Sequence, residues 1–116
     1  MNILWHTATA VPFLLAGHPL VALGCVLPDV TWLAQELRFR LSGEPDWHVW
    51  IETCPERHLV LYRTAHSVFT IGAVAVFFPE LAAGWALHLM LDLPTHTGRM
   101  RQRPVYPFSW RWPWTF

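Results

Sequence analysis

The sequence contains no lysine, and charged residues of all kinds make up only 14% of it, well below the roughly 25% of ordinary soluble domains. Hydrophobic residues reach 53%. A chain of 116 residues forms a single domain, and one of that size buries only about two thirds of the surface its unfolded form exposes. Some apolar surface must therefore face something other than water, with a bilayer or a partner subunit as the two candidates. Cysteine is scarce too. Cys25 and Cys54 form no CxxC pair and lie far apart, which points away from a zinc-thiolate motif and from a disulfide framework. Cys25, inside an apolar run, reads as a buried free thiol. The N-terminus shows neither the basic segment nor the small-residue cleavage site of a secretory signal, so a reducing compartment is expected.

Charge that is present is unevenly placed. Residues 1–98 hold four arginines against all eight acids, a net charge of −4, whereas residues 99–116 hold four arginines and no acid, a net charge of +4. This divides the domain into a helical body, 1–98, and a basic aromatic tail, 99–116. In the tail, Tyr106, Phe108, Trp110, Trp112, Trp114 and Phe116 alternate strictly, which places six rings on one side of an extended chain. Pro104, Pro107 and Pro113 argue against a central strand. The tail is either an extended arm that covers the body or an interfacial aromatic anchor beside arginines. A basic, aromatic segment on a hydrophobic body suits anionic lipid head groups better than nucleic acid, for which no motif is present.

The body reads as all-α, a compact bundle of about five apolar helices. Apolar residues predict a first helix over Ile3–Leu15, ended by Gly17-His18-Pro19, and a second apolar run over Leu20–Leu27, ended by Pro28-Asp29. Asp29 is placed to cap a helix from Val30 to about Leu41, whose exposed side would carry Glu36, Arg38 and Arg40. Ser42 to Pro45 is a turn, and Asp46 to Thr53 is aromatic and ambiguous. Pro55 suits a first helical position, which predicts a long helix through His66 to about Phe78. Pro79 opens a last helix that runs to Asp92 before Pro94. From Val68 to Leu91 these helices are apolar nearly all round, as buried or lipid-facing segments are. Thr7–Pro28 and Ser67–Leu91 reach the roughly 20 residues of a membrane span, but prolines interrupt both. A bundle seated in or on the bilayer is the favoured expectation.

Chemistry concentrates in His88-Leu-Met-Leu-Asp92. Residues four apart share a helix face, so this imidazole and carboxylate can grip one ion, or bond to each other or to an arginine. An unpaired aspartate in an apolar helix is costly, and a metal removes that cost. His66, three residues after Arg63 and next to Ser67, is a second candidate in apolar surroundings. Asp29, His6 and His96, the last just beyond the final helix, complete the set. Bundles commonly build metal sites from facing helices in this way. His18 is the substitute for His6, while His48 and His58 read as surface or interface residues.

The order His6, Leu27-Pro28-Asp29, Tyr62-Arg63-Thr-Ala-His66-Ser67, His88-Leu-Met-Leu-Asp92-Leu-Pro-Thr95-His96-Thr-Gly98 and Tyr106-Pro107-Phe108-Ser109 resembles a bacterial family of inner-membrane metal-dependent hydrolases. That family is in turn similar to zinc-dependent phospholipase C and related nucleases. The resemblance spans essentially the whole chain, and its most specific piece runs from His88 to Gly98. It implies that His6, Asp29, His66, His88, Asp92 and His96 are metal ligands and that Arg63 and Ser67 line the site. Thr31 stands where the family often carries a second acid, and Tyr62 where it often carries a histidine, so the ligand set is reduced.

Zinc, or else manganese, suits imidazole and carboxylate ligands. The expected chemistry is hydrolysis of a phosphoester or phospholipid-like substrate by a metal-activated water, with Asp29 or Asp92 as the orienting base and Arg63 stabilising anionic charge. The expected location is the inner membrane, in contact with membrane lipid, with a homo-oligomer as one possible assembly. The competing expectation is a non-catalytic helical membrane protein whose His/Asp site is structural or degenerate.

Overall fold

In the computed structural model, which describes residues 3–93, the chain is helical throughout with no strand among the described residues. The α-helices are α1 (Ile3–Leu15), α2 (Pro19–Val26), α3 (Val30–Ser42), α4 (Trp47–Thr53), α5 (Val60–Ala65), α6 (Val68–Phe77) and α7 (Pro79–Asp92). Tight 3-10 turns occupy Leu27–Asp29 and Glu56–His58. The first of these joins α2 to α3 as one rod, because Pro28 lacks the N–H that would continue an α ladder and the chain tightens for one turn instead. The expected aromatic arm and His96 lie outside the described residues.

Three sequence expectations are corrected, the third of them, on Arg38, with the aromatic core below. The single helix expected from Pro55 to Phe78 is three pieces. Pro55 is extended, with ψ 140°, and precedes the 3-10 turn. Between α5 and α6, Ser67 takes φ −109°, ψ 142°, and its hydroxyl accepts from the Phe69 N–H. A serine that satisfies a helix-start donor favours this break over a continuous helix. Asp29 does not cap α3: its side chain makes no capping bond and is used elsewhere. The ambiguous stretch forms α4, where the Asp46 carboxylate accepts from the N–H groups of His48, at 2.7 Å, and Val49, at 3.5 Å. Asp46→Ala is expected to cost about 1 kcal/mol of stability, measured by thermal or denaturant unfolding.

The body is built on two helical hairpins, α1–α2 and α6–α7, that cross through α2 and α7. Gly24 and Gly84 make the crossing. A Cβ at Gly24 would collide with Leu81 O and lie 2.8 Å from Trp85 N, and one at Gly84 would collide with Val21 O and lie 3.1 Å from Cys25 N. The partners mirror each other at a constant separation of 60 positions, and the sequence repeats at the same offset: His6 with His66, Pro19 with Pro79, Ala22 with Ala82, Gly24 with Gly84, Leu27 with Leu87. Residues 21–30 and 81–90 share one pattern of buried and exposed positions. The two hairpins are thus related by an approximate local two-fold.

The remaining elements, α3, α4 and α5, carry a separate aromatic core. Trp50, Ile51, Cys54, Leu59 and Tyr62 are buried there, and Trp32, Phe39 and Trp47 pack against them. Gln35 and Arg38 reach inward from α3 to donate to the His58 carbonyl, so Arg38 is not on the exposed face expected for it. Formal charge follows this division: α1, α2 and α6 have none, and α7 has only Glu80 and Asp92. Large apolar side chains are nonetheless exposed on the hairpins, among them Leu15 at 83%, Val76 at 74% and Phe77 at 76%.

Candidate metal centre

Each hairpin delivers its polar residues to the same end. His6 lies in the first turn of α1, Asp29 follows α2, His66 precedes α6, and His88 and Asp92 occupy the last turns of α7. Helices α2 and α7 run toward this point while α1 and α6 leave it. His6, His66, His88 and Asp92 are each 0% exposed, and Asp29 is 7% exposed. His88 and Asp92, four apart, share the inner face of α7 as their spacing predicts.

Ligand atoms of His6, Asp29, His88 and Asp92 all lie within 4.8 Å of one another, a buried group that could hold a metal ion. His66 joins them: its Nε2 is 3.2 Å from His88 Nε2 and 3.6 Å from Asp92 Oδ2. His88 Nε2 is 3.2 Å from Asp92 Oδ2 and 3.7 Å from Asp29 Oδ1. His6 Nε2 is 2.8 Å from Asp92 Oδ1 and 3.7 Å from Asp29 Oδ2. The rings of His6 and His88 stack with centroids 3.8 Å apart.

The backbone fixes what these imidazoles present. His66 Nδ1 lies 2.8 Å from Tyr62 O, and His88 Nδ1 lies 2.8 Å from Cys25 O. A carbonyl only accepts, so each Nδ1 carries the proton and, in the neutral ring, each Nε2 turns a lone pair inward. Two such lone pairs then face each other beside two buried carboxylates. Like charges at this separation repel by on the order of 3 kcal/mol at an effective dielectric near 20, and burial adds a desolvation cost. A cation at the centre relieves both, and the hydrogen bonds to Tyr62 O and Cys25 O are those that orient metal-binding histidines. Asp29 Oδ2 and His6 Nδ1 are buried with no hydrogen-bond partner among the described residues. The donor set therefore fits a divalent ion.

Of the six ligands expected from sequence, five converge here and His96 lies outside the described residues. Arg63 is buried, 3% exposed, and its guanidinium pairs with Glu56. Ser67 is buried as the cap of α6. His18 sits exposed at the tip of the first hairpin, so it does not replace His6, and His48 is exposed as expected.

Two participants were not anticipated. The Cys25 carbonyl acts as the acceptor that orients His88, a role no side-chain pattern reveals. Tyr62 stacks on His66 at 4.0 Å, and burial first, then the charges of Asp92 and Asp29, push its hydroxyl well above the ordinary tyrosine range. Its hydroxyl therefore stays protonated beside the carboxylates. The sequence signal was its place four residues before His66, one helical turn away. Comparison with family models, curated proteins and solved structures gives no match.

Proposed function

We propose that this chain is a membrane-associated, metal-dependent hydrolase that binds zinc, or else manganese, through His6, Asp29, His66, His88 and Asp92 and acts on a phosphoester or phospholipid-like substrate. The observation that carries the reading is the convergence of inward imidazole nitrogens and two carboxylates at one buried point. When bound, a divalent ion supplies Lewis acidity and an acidified water at neutral pH. His66 and His88 hold their Nε2 atoms toward the ion because their Nδ1 protons are tied to backbone carbonyls. Asp29, with one carboxylate oxygen free of hydrogen bonds, can accept the proton of an attacking water. Arg63, three residues before His66 and paired with Glu56, would have to exchange that partner for the substrate to stabilise developing anionic charge.

Membrane association is supported by the apolar residues exposed on both hairpins and by the Pro19–Ser42 rod, which is long and apolar enough to cross a membrane by length and composition. An open apolar hollow of about 400 Å³ along α6, lined by Phe69, Thr70, Ala73, Val74, Phe77 and Phe78, suits an acyl chain. None of the metal-binding residues lines it.

Burial favours a second reading. Structural sites are closed, whereas catalytic ones keep a position open to water, and four of the five ligands here have no exposed surface. A structural ion would then staple the two hairpins together. Turnover of a chromogenic phosphodiester by protein in detergent separates the two. The hydrolase reading expects turnover that needs added zinc or manganese and stops with a chelator. Bound metal without metal-dependent turnover of phosphodiester or phospholipid favours the structural site.

A further inference from the structure

Resting on the phosphoester reading above, we infer that Glu56 is a placeholder: its carboxylate occupies the Arg63 guanidinium until a phosphoester oxygen displaces it. Of the four arginines among the described residues, Arg63 alone is buried. Arg38 donates to the His58 carbonyl, Arg40 pairs with Glu36 in the open, and Arg57 is exposed. Arg63 and His66 are three apart at the end of α5, so they share a face of that helix, and Leu59, Tyr62, Arg63 and His66 are all buried. The one buried arginine therefore stands a helical turn from a residue of the candidate metal centre.

The pairing is lopsided. The Arg63 side chain is 3% exposed and that of Glu56 54%. A buried charge is held best by a partner that is itself enclosed and fixed, because water screens an open one. Glu56 is open to solvent, so its carboxylate loses little when it turns outward and water takes the place of the guanidinium. The same carboxylate meets Arg63 from the solvent side, so an anion that arrives there takes its place.

The backbone around Glu56 lets the side chain leave alone. Glu56 opens the 3-10 turn Glu56–His58, and its carbonyl accepts from the Leu59 N–H at 2.9 Å. Leu59 is fully buried, and the His58 carbonyl is held by Gln35 and Arg38 from α3. The turn is thus pinned at its far end, and rotation about the Glu56 side-chain bonds uncovers Arg63 without unfolding the turn. A phosphoester presents paired oxygens to the guanidinium fork, as the carboxylate does, so the exchange is like for like.

Isothermal titration of inorganic phosphate into zinc- or manganese-loaded protein in mild detergent tests this. Glu56→Gln is expected to bind phosphate roughly tenfold more tightly than wild type, because apparent affinity scales with the fraction of protein whose site is vacant. Glu56→Asp, one methylene shorter, is expected to give a smaller gain. Glu52→Gln removes the same charge from another exposed position and is expected to change nothing. A soluble dialkyl phosphate and a short-chain phosphatidylglycerol, added as competitors, tell a free phosphoester from a lipid head group by which of them displaces the phosphate. Displacement by neither overturns the inference. So does phosphate binding that is unchanged or weaker in both Glu56 variants, or a gain as large in Glu52→Gln. Loss of folding in both Glu56 variants would mark Glu56 as a structural counter-ion and overturn it too. Protein that takes up neither zinc nor manganese overturns the hydrolase reading, and this inference with it.

Discussion

Replacing His88 with alanine is expected to weaken divalent-metal binding by well over the roughly 10–100-fold that changes to supporting residues cause, and to abolish any metal-dependent turnover. The reason is geometric. His88 Nε2 lies within 3.7 Å of side-chain atoms from Asp29, Asp92 and His66, so it stands between both carboxylates and the second imidazole. Its removal leaves Asp29 and Asp92 buried together without the group that stands between them. Isothermal titration of zinc into wild-type and variant protein measures the change. His88→Ala that binds zinc as tightly as wild type would show that the imidazole is only a packing residue. Tyr62→Phe is the useful contrast, because it keeps the ring that stacks on His66 and the carbonyl that orients it, and is expected to leave zinc binding largely intact.

Gly84→Ala should be strongly destabilising, at about 3 kcal/mol or more, the upper end of overpacking costs. The added methyl group would meet the Val21 carbonyl and the Cys25 nitrogen, which are backbone atoms and cannot rotate away. Helices α2 and α7 would have to separate. That separation also stretches the bond from His88 to Cys25 O, so zinc affinity should fall although residue 84 touches no ion. Gly72 on α6 provides the control, since a Cβ there meets nothing within 4 Å. Gly72→Ala is expected to be neutral or to stabilise by about 0.5–1 kcal/mol through a less disordered unfolded chain. Equal melting temperatures for the two alanine variants would refute the close crossing.

Much of this was legible in the sequence, for reasons that can be traced to particular residues. Helix α1 begins and ends where its apolar run and Gly17 dictate, α3 starts at Val30, and α7 ends at Asp92. The convergence of His6, Asp29, His66, His88 and Asp92 followed from polar residues that recur in otherwise apolar helices, where solitary burial is expensive. What escaped was the break at Ser67, because a serine inside an apolar run is compatible with either a cap or a helix interior until tertiary packing chooses. Asp29 misled in the opposite sense. It has the sequence signature of a helix cap, but its carboxylate makes no capping bond and lies 3.7 Å from the Nε2 atoms of both His6 and His88 instead.

The 60-residue repeat was also there to be read. Pro19-x-x-Ala22-x-Gly24 and Pro79-x-x-Ala82-x-Gly84 are too small and too common to stand out alone. Their meaning emerges only when the two glycines are seen to face each other. With the repeat in view, His6 and His66 become equivalent positions, and the residues that break the symmetry, Asp29, His88 and Asp92, are those that complete the buried polar cluster.

The most direct test of the central claim is elemental analysis of protein purified without chelators, paired with its melting curve before and after chelation. A cation that gathers these side chains predicts a whole-number content of zinc or manganese per chain and a fall in melting temperature when the metal is withdrawn, since a ligand of the native state stabilises it. Metal content near zero, with melting unchanged by added zinc or manganese, would contradict it.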